Sequence, residues 1–183
     1  EIIHDLREIK NEKVCAQVNE LVNLAHSEGI NEVLLWDHSL YNIDYYPERF
    51  RTGPGGTIDL DNPEFWEWLK DDYRQMLDRV SEADGLVLTF IETGAYAERQ
   101  FSKKMKSSEE KLAAVVNAIS DVLIGERKKK LYIRTFAYSE EEYKGTTGCI
   151  EYLKYDEVIL MMKETPHDFF LTHPDNYYIQ KMD

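Results

Sequence analysis

Residues 85–94 read GLVLTFIETG. The apolar run is too short for a helix and is bounded by glycines, the form of a strand buried on both faces in a parallel sheet. Glu92 stands just past its carboxyl end, where folds built from parallel strands place their chemistry. Residues 158–169 repeat the form, with the apolar VILMM running into Lys163 and then Asp168. Carboxylates beyond the ends of two strands are what an acid/base pair requires. Glu92 and Asp168 are the expected pair.

Residues 33–36 predict a further strand, followed by the polar Asp37 and His38, and residues 131–137 predict another. Between the strands lie helical patterns. Residues 11–28 carry an apolar stripe at Val14, Val18, Leu21, Val22 and Ala25, with Gly29 placed to end the helix. Asn62 and Pro63 are a cap and a first-turn proline. The helix they open reaches about Ser81, with Leu69, Tyr73, Met76, Leu77 and Val80 inward. Trp66 and Trp68 cannot share one face of it, so one is expected against the preceding loop. Ser107 with Glu110 forms a capping box before Leu112, Val115, Val116, Ile119, Val122 and Leu123, and that helix stops at Gly125. Ser139 with Glu142 offers a second box, weakened by Gly145 and Gly148 behind it.

Three segments read as loops: 39–61, 95–106 and 164–178. The first is long and tyrosine-rich and holds the turn-former GPGG at 53–56; loops of that length in a compact domain are usually functional. It is not a phosphate loop, because no Gly-Lys-Ser/Thr ending opens a helix. The basic run 128–130 reads as a solvated turn rather than a binding patch.

The alternation α-β-α-β-α-β-α-β implies right-handed crossovers and a parallel sheet. The expected fold is α/β, with parallel βα units forming about half of a TIM (β/α)8 barrel. Residues 1–183 are expected to be a single α/β domain, a fragment of a larger barrel catalytic domain. Four parallel strands alone leave two apolar edges unpaired. The remainder of a barrel, or a second copy in a homo-oligomer, is expected to cover them.

Composition narrows the function. The chain is 43% hydrophobic and 12% aromatic, which marks it as globular. A net charge of −13 argues against nucleic acid and against an anionic membrane surface as partners. No apolar run approaches the roughly 20 residues that span a bilayer. Cys15 and Cys149 lie in predicted helices without metal-type spacing and read as buried thiols. Asp37, His38, His167 and His173 invite a metal reading, but no HxH or HExxH spacing supports it, and neither metal nor cofactor is expected. His38 and His167 read instead as partners for sugar hydroxyls or as ordinary loop residues. Trp36, Tyr41, Tyr45 and Tyr46 suit either a stacking platform for a sugar ring or the packing of the loop.

Four stretches, in order, carry a resemblance: GTIDLDNPEFWEWLKDDYRQMLDRV, GLVLTFIETG, LYIRTFAY and EVILMMKETPHDFF. Together they resemble the catalytic barrel of the family 67 glycoside hydrolases, the α-glucuronidases, over roughly residues 53–172. The resemblance implies an inverting hydrolase of a glucuronoside or related plant-type glycan such as those of xylan. Glu92 matches the family's general acid, and Asp168 one of two carboxylates that activate water. Arg134 and Lys163 match cations lining the sugar pocket. Inversion implies acid and base about 6.5–9.5 Å apart. On physical grounds Lys163 would keep Asp168 ionised, and apolar neighbours would keep Glu92 protonated. At Leu88 the family carries a lysine for the uronate carboxylate, which opens the substrate to neutral sugars. Its second base carboxylate comes from the next strand, beyond Asp183. The competing functions are a non-catalytic carbohydrate-binding fragment and a barrel hydrolase of unrelated, metal-dependent chemistry.

Overall fold

The structure is a computed structural model that describes residues 12–163. Asp168, His167, His173 and the predicted terminal loop lie outside the described residues. In chain order the main elements are α1 (Glu12–Ser27), β1 (Leu34–His38), α2 (Pro63–Arg79), β2 (Gly85–Thr89), α3 (Ser108–Ser120), β3 (Lys130–Arg134), α4 (Glu140–Gly148) and β4 (Ile159–Met161). The four strands form one sheet in the order β1-β2-β3-β4, every pair parallel. The order never reverses, and each helix touches the next, α1 on α2, α2 on α3 and α3 on α4. A sheet wound in one direction carries its helices on one face, because parallel crossovers share one hand.

Alternation along the strands divides the sheet. Leu86, Leu88, Leu131 and Ile133 are fully buried in the core with Leu69, Tyr73, Val115 and Ile119 of the helices. Trp36 and Ile159, on the other face, are 47% and 38% exposed. Leu88, where the resemblance implies a cation, therefore points into the helical core.

The caps form as their residue types dictate. The Asn62 side chain accepts from the Glu64 N–H at 3.0 Å. Ser107 and Glu110 make the full reciprocal box. Beyond Ser120 the third helix continues as a π-helical turn, Asp121–Glu126, closed by Arg127 N–H to the Val122 carbonyl. In α4 the Ser139 hydroxyl accepts from the Glu142 N–H, but the Glu142 carboxylate reaches one residue further back, to the Tyr138 N–H. The helix forms despite its two glycines because α3 lies close: a side chain at Gly148 would meet Glu109 Cγ at 2.8 Å.

Several expectations are corrected. Leu21 is 65% exposed rather than inward; of the rest of the predicted stripe Val22 is buried and Val14 and Val18 pack against the core, with Cys15 buried beside them. Both tryptophans, not one, lie against the 39–61 loop, which wraps the start of α2. Trp66 donates its indole N–H to the Leu60 carbonyl at 2.9 Å, while Trp68 packs on Tyr45, Tyr46 and Phe50. The basic run is a solvated turn whose side chains are also tied locally, with Lys128 and Lys130 exposed. Lys128 donates to the Gly125 carbonyl, Lys129 to those of Ser81 and Ala83, and Lys130 pairs with Glu32. Both cysteines are buried and free, and burial pushes the Cys149 thiol up to about 12. Among the described residues no helix is long and apolar enough to cross a membrane.

Asp84 clamps the amino end of the sheet. Its carboxylate accepts from the Val33 N–H at 2.7 Å and meets His26 Nε2 at 2.9 Å. Burial acts to raise its pKa, but the Val33 N–H and His26 outweigh burial and hold it below the ordinary value. A depressed carboxyl pKa stabilises the fold above the unfolded value near about 4, and that contribution is lost as pH falls through the folded value. Asp84→Ala is expected to cost about 1–2 kcal/mol near neutrality. Urea unfolding from pH 7 down to pH 3 checks this: the gap between variant and wild type should narrow as the pH falls.

Candidate functional site

The loops at the carboxyl ends of β1 and β2 are zipped together. Asp59 and Phe101 form a parallel bridge, with Leu60 N–H to the Phe101 carbonyl and Phe101 N–H to that of Ile58. The buried Gln100 side chain accepts from the Ile58 N–H at 2.9 Å. Asp61 accepts from the Ser102 hydroxyl and the Lys103 N–H, both at 2.6 Å, and these hold its carboxyl below the usual range. Tyr46 and Phe50 of the first loop are buried and each meets the buried Phe65 of α2 edge-to-face, at 5.9 and 5.8 Å. For Tyr45 and Tyr46, packing is thus the observed role rather than a platform for sugar.

Glu92 follows β2 on a backbone with φ +60°, a left-handed conformation that a non-glycine residue seldom takes. Its surroundings hold it there. The Thr93 hydroxyl sits between the Leu40 and Tyr41 carbonyls, and Gly94 lies so close to Asn42 that a Cβ would meet its Cα at 3.2 Å. The side chain is exposed, and its Oε1 accepts from the Tyr138 hydroxyl at 2.8 Å. Among the described residues no apolar enclosure surrounds Glu92.

The open sheet face carries two in-register rows, Trp36–Val87–Tyr132–Ile159 and, nearer the carboxyl ends, His38–Thr89–Arg134–Met161. Past β3 the chain keeps its alternation: Arg134 and Phe136 are half-buried and Tyr138 is exposed, while Thr135 and Ala137 are buried. This builds a ladder. The Arg134 guanidinium lies 4.4 Å over the Trp36 ring and 5.0 Å over Phe136. Lys163 Nζ lies 4.3 Å over Phe136, and the Tyr138 ring meets Phe136 edge-on at 5.1 Å. Tyr138 then reaches Glu92. Four predicted residues, Trp36, Arg134, Lys163 and Glu92, are joined through two that sequence reasoning missed. The signal was present: Lys130, Tyr132, Arg134, Phe136 and Tyr138 alternate with small or apolar residues over the whole run.

His38 shares the open-face row with Arg134, with its ring edge-on to Tyr41 at 6.5 Å. Asp37 faces the opposite way. It is buried, and its carboxylate accepts from the Tyr73 hydroxyl at 2.8 Å. The two neighbours cannot act together on one ligand, because successive strand residues point to opposite faces. Among the described residues no group of three or more His, Cys, Asp or Glu could hold a metal ion.

A separate cavity of about 400 Å³ opens on the helical side, where Ile91, Glu98 and Arg99 meet Leu112, Glu142 and Thr146. It contains none of the predicted site residues. Burial holds the Glu98 carboxyl above the usual range there, with Glu142 adding to the effect. Nothing in the local AERQ sequence announces that burial.

Faces of aromatic rings, two cations and one exposed carboxylate thus line the carboxyl ends of a parallel sheet. Such a cluster offers cationic donors and one carboxylate acceptor to the oxygens of a polar ligand. A scan against protein-family models and searches of the curated proteins and of the solved structures each find no match for this chain. Fold and site together define a parallel α/β protein with a carboxylate–aromatic–cation cluster at its strand ends.

Proposed function

We propose that the chain is part of a (β/α)8 barrel that hydrolyses a glycosidic bond with inversion, on a glucuronoside or related plant-type glycan. Glu92 is the general acid and Asp168 part of the general base. The observation that carries this reading is the ladder from Trp36 through Arg134, Phe136 and Tyr138 to Glu92 at the carboxyl ends of the strands. The unreversed order of four parallel strands supports the barrel.

In this mechanism Glu92 gives its proton to the departing glycosidic oxygen as the bond to the anomeric carbon breaks. Water attacks that carbon from the opposite face and loses its proton to Asp168. Arg134 and Lys163, held on the Trp36 and Phe136 rings, meet hydroxyl or carboxylate oxygens of the sugar. The test is hydrolysis of glucuronic-acid-substituted xylo-oligosaccharides, whose departing sugar oxygen needs the proton, followed by proton NMR. Glu92→Gln is expected to lose at least about 100-fold in kcat/KM at an unchanged melting temperature. The first product formed should be the inverted anomer. Retention of configuration, or full activity in Glu92→Gln, overturns the proposal.

The exposure of Glu92 favours a second reading, a non-catalytic carbohydrate-binding role. Calorimetric binding of the same oligosaccharides without turnover would establish it.

A further inference from the structure

We infer that Tyr138 is the positioning residue of Glu92: its hydroxyl holds Oε1 and leaves Oε2 to face the substrate. The inference rests on the catalytic reading of Glu92 above. Tyr138 is 61% exposed, and an exposed tyrosine with no tether has no fixed direction. This one is held from two sides. Its ring lies against Phe136, and its backbone N–H donates to the Glu142 carboxylate at 2.8 Å. Its hydroxyl spends its one proton on Glu92. Glu92 is fixed from the other direction by the left-handed turn strapped to residues 40–42. Two loops following different strands therefore meet in one hydrogen bond at the mouth of the open face.

Pinning Oε1 matters because a carboxyl group can rotate to present either oxygen. A donor on one oxygen sends the transferable proton to the other and removes that rotation from the barrier. The cost falls on the chemical step rather than on substrate binding. The groups facing Tyr138 are Glu92, Tyr96 and Glu142. The hydrogen bond to Glu92 is the main cause holding the phenol above its usual value, followed by burial.

The test uses Tyr138→Phe and Glu92→Gln with kinetics and a carbon-13 NMR titration of the tyrosine ring. Tyr138→Phe is expected to lower kcat about tenfold with KM nearly unchanged and the melting temperature unmoved. In the wild-type chain Tyr138 should titrate above the ordinary value of about 10, and Glu92→Gln should bring it down toward that value. Wild-type kcat in Tyr138→Phe, or a Tyr138 titration indifferent to Glu92→Gln, overturns the role of Tyr138. Turnover surviving in Glu92→Gln, whatever Tyr138→Phe does, overturns the reading of Glu92 itself. The two failures are thus distinguishable.

Discussion

Glu92→Gly is expected to end turnover and at the same time to stabilise the fold by about 0.5–1 kcal/mol. The left-handed conformation at φ +60° costs a residue with a Cβ about 1–2 kcal/mol, and glycine adopts it freely. Part of that gain is returned, because glycine loosens the unfolded chain. The exposed hydrogen bond to Tyr138 contributes little to stability in water. Glu92→Ala is the control: it removes the carboxylate but keeps the Cβ, so activity should vanish with no gain in stability. Urea midpoints for the three chains decide the matter. Equal midpoints for the glycine and alanine variants would show that the turn stores no strain. A strained residue whose relief stabilises the protein is the pattern found where function, rather than folding, selects the side chain.

Gly85→Ala is expected to act in the opposite sense, at a cost of about 3 kcal/mol. A Cβ at position 85 would stand 2.1 Å from the Lys130 carbonyl oxygen and 2.8 Å from its carbon. Both atoms belong to the backbone of β3, so no side chain can swing aside. β2 and β3 must separate at their first pair, where the Lys130 N–H donates to the Asp84 carbonyl at 2.9 Å. Against a total stability of about 5–15 kcal/mol this is a large loss. Gly145→Ala provides the contrast. Its Cβ would meet Leu112 at 3.5 Å and Ser108 at 3.7 Å, ordinary contacts, and alanine favours a helix. It should leave stability equal or slightly raised. Urea unfolding combined with hydrogen exchange of the β3 amides reads both effects; a Gly85→Ala chain with wild-type midpoint and protection would refute the steric account.

The strand at 85–89 was legible because its burial on the helical face and near-burial on the other leave an uninterrupted apolar run. The caps at Asn62, Ser107 and Ser139 were legible because each acts on a backbone N–H two or three residues away. Such interactions are written into local sequence. The exposure of Leu21 was not, because periodicity places it beside Val22 on the α1 stripe and only the packing of the helix leaves it outside. Likewise Asp37 and His38 read as one polar strand end. Tyr73, 36 positions away from Asp37, is what makes Asp37 a core hydrogen-bond acceptor.

By itself the sequence determined the alternation of helices and strands, the parallel sheet that follows from it, and Glu92 as a carboxylate at a strand end. These depend on periodicity, on short-range capping and on the shared hand of crossovers, all of which act within a few dozen residues. The tertiary structure decided which aromatics pack the 39–61 loop and which line the open face. It also decided that Phe136 and Tyr138 join Trp36 and Arg134 to Glu92. The partners of that ladder come from separate strands and loops. Their distances exist only once the sheet register is set, since a slip of one residue would send every one of them to the other face.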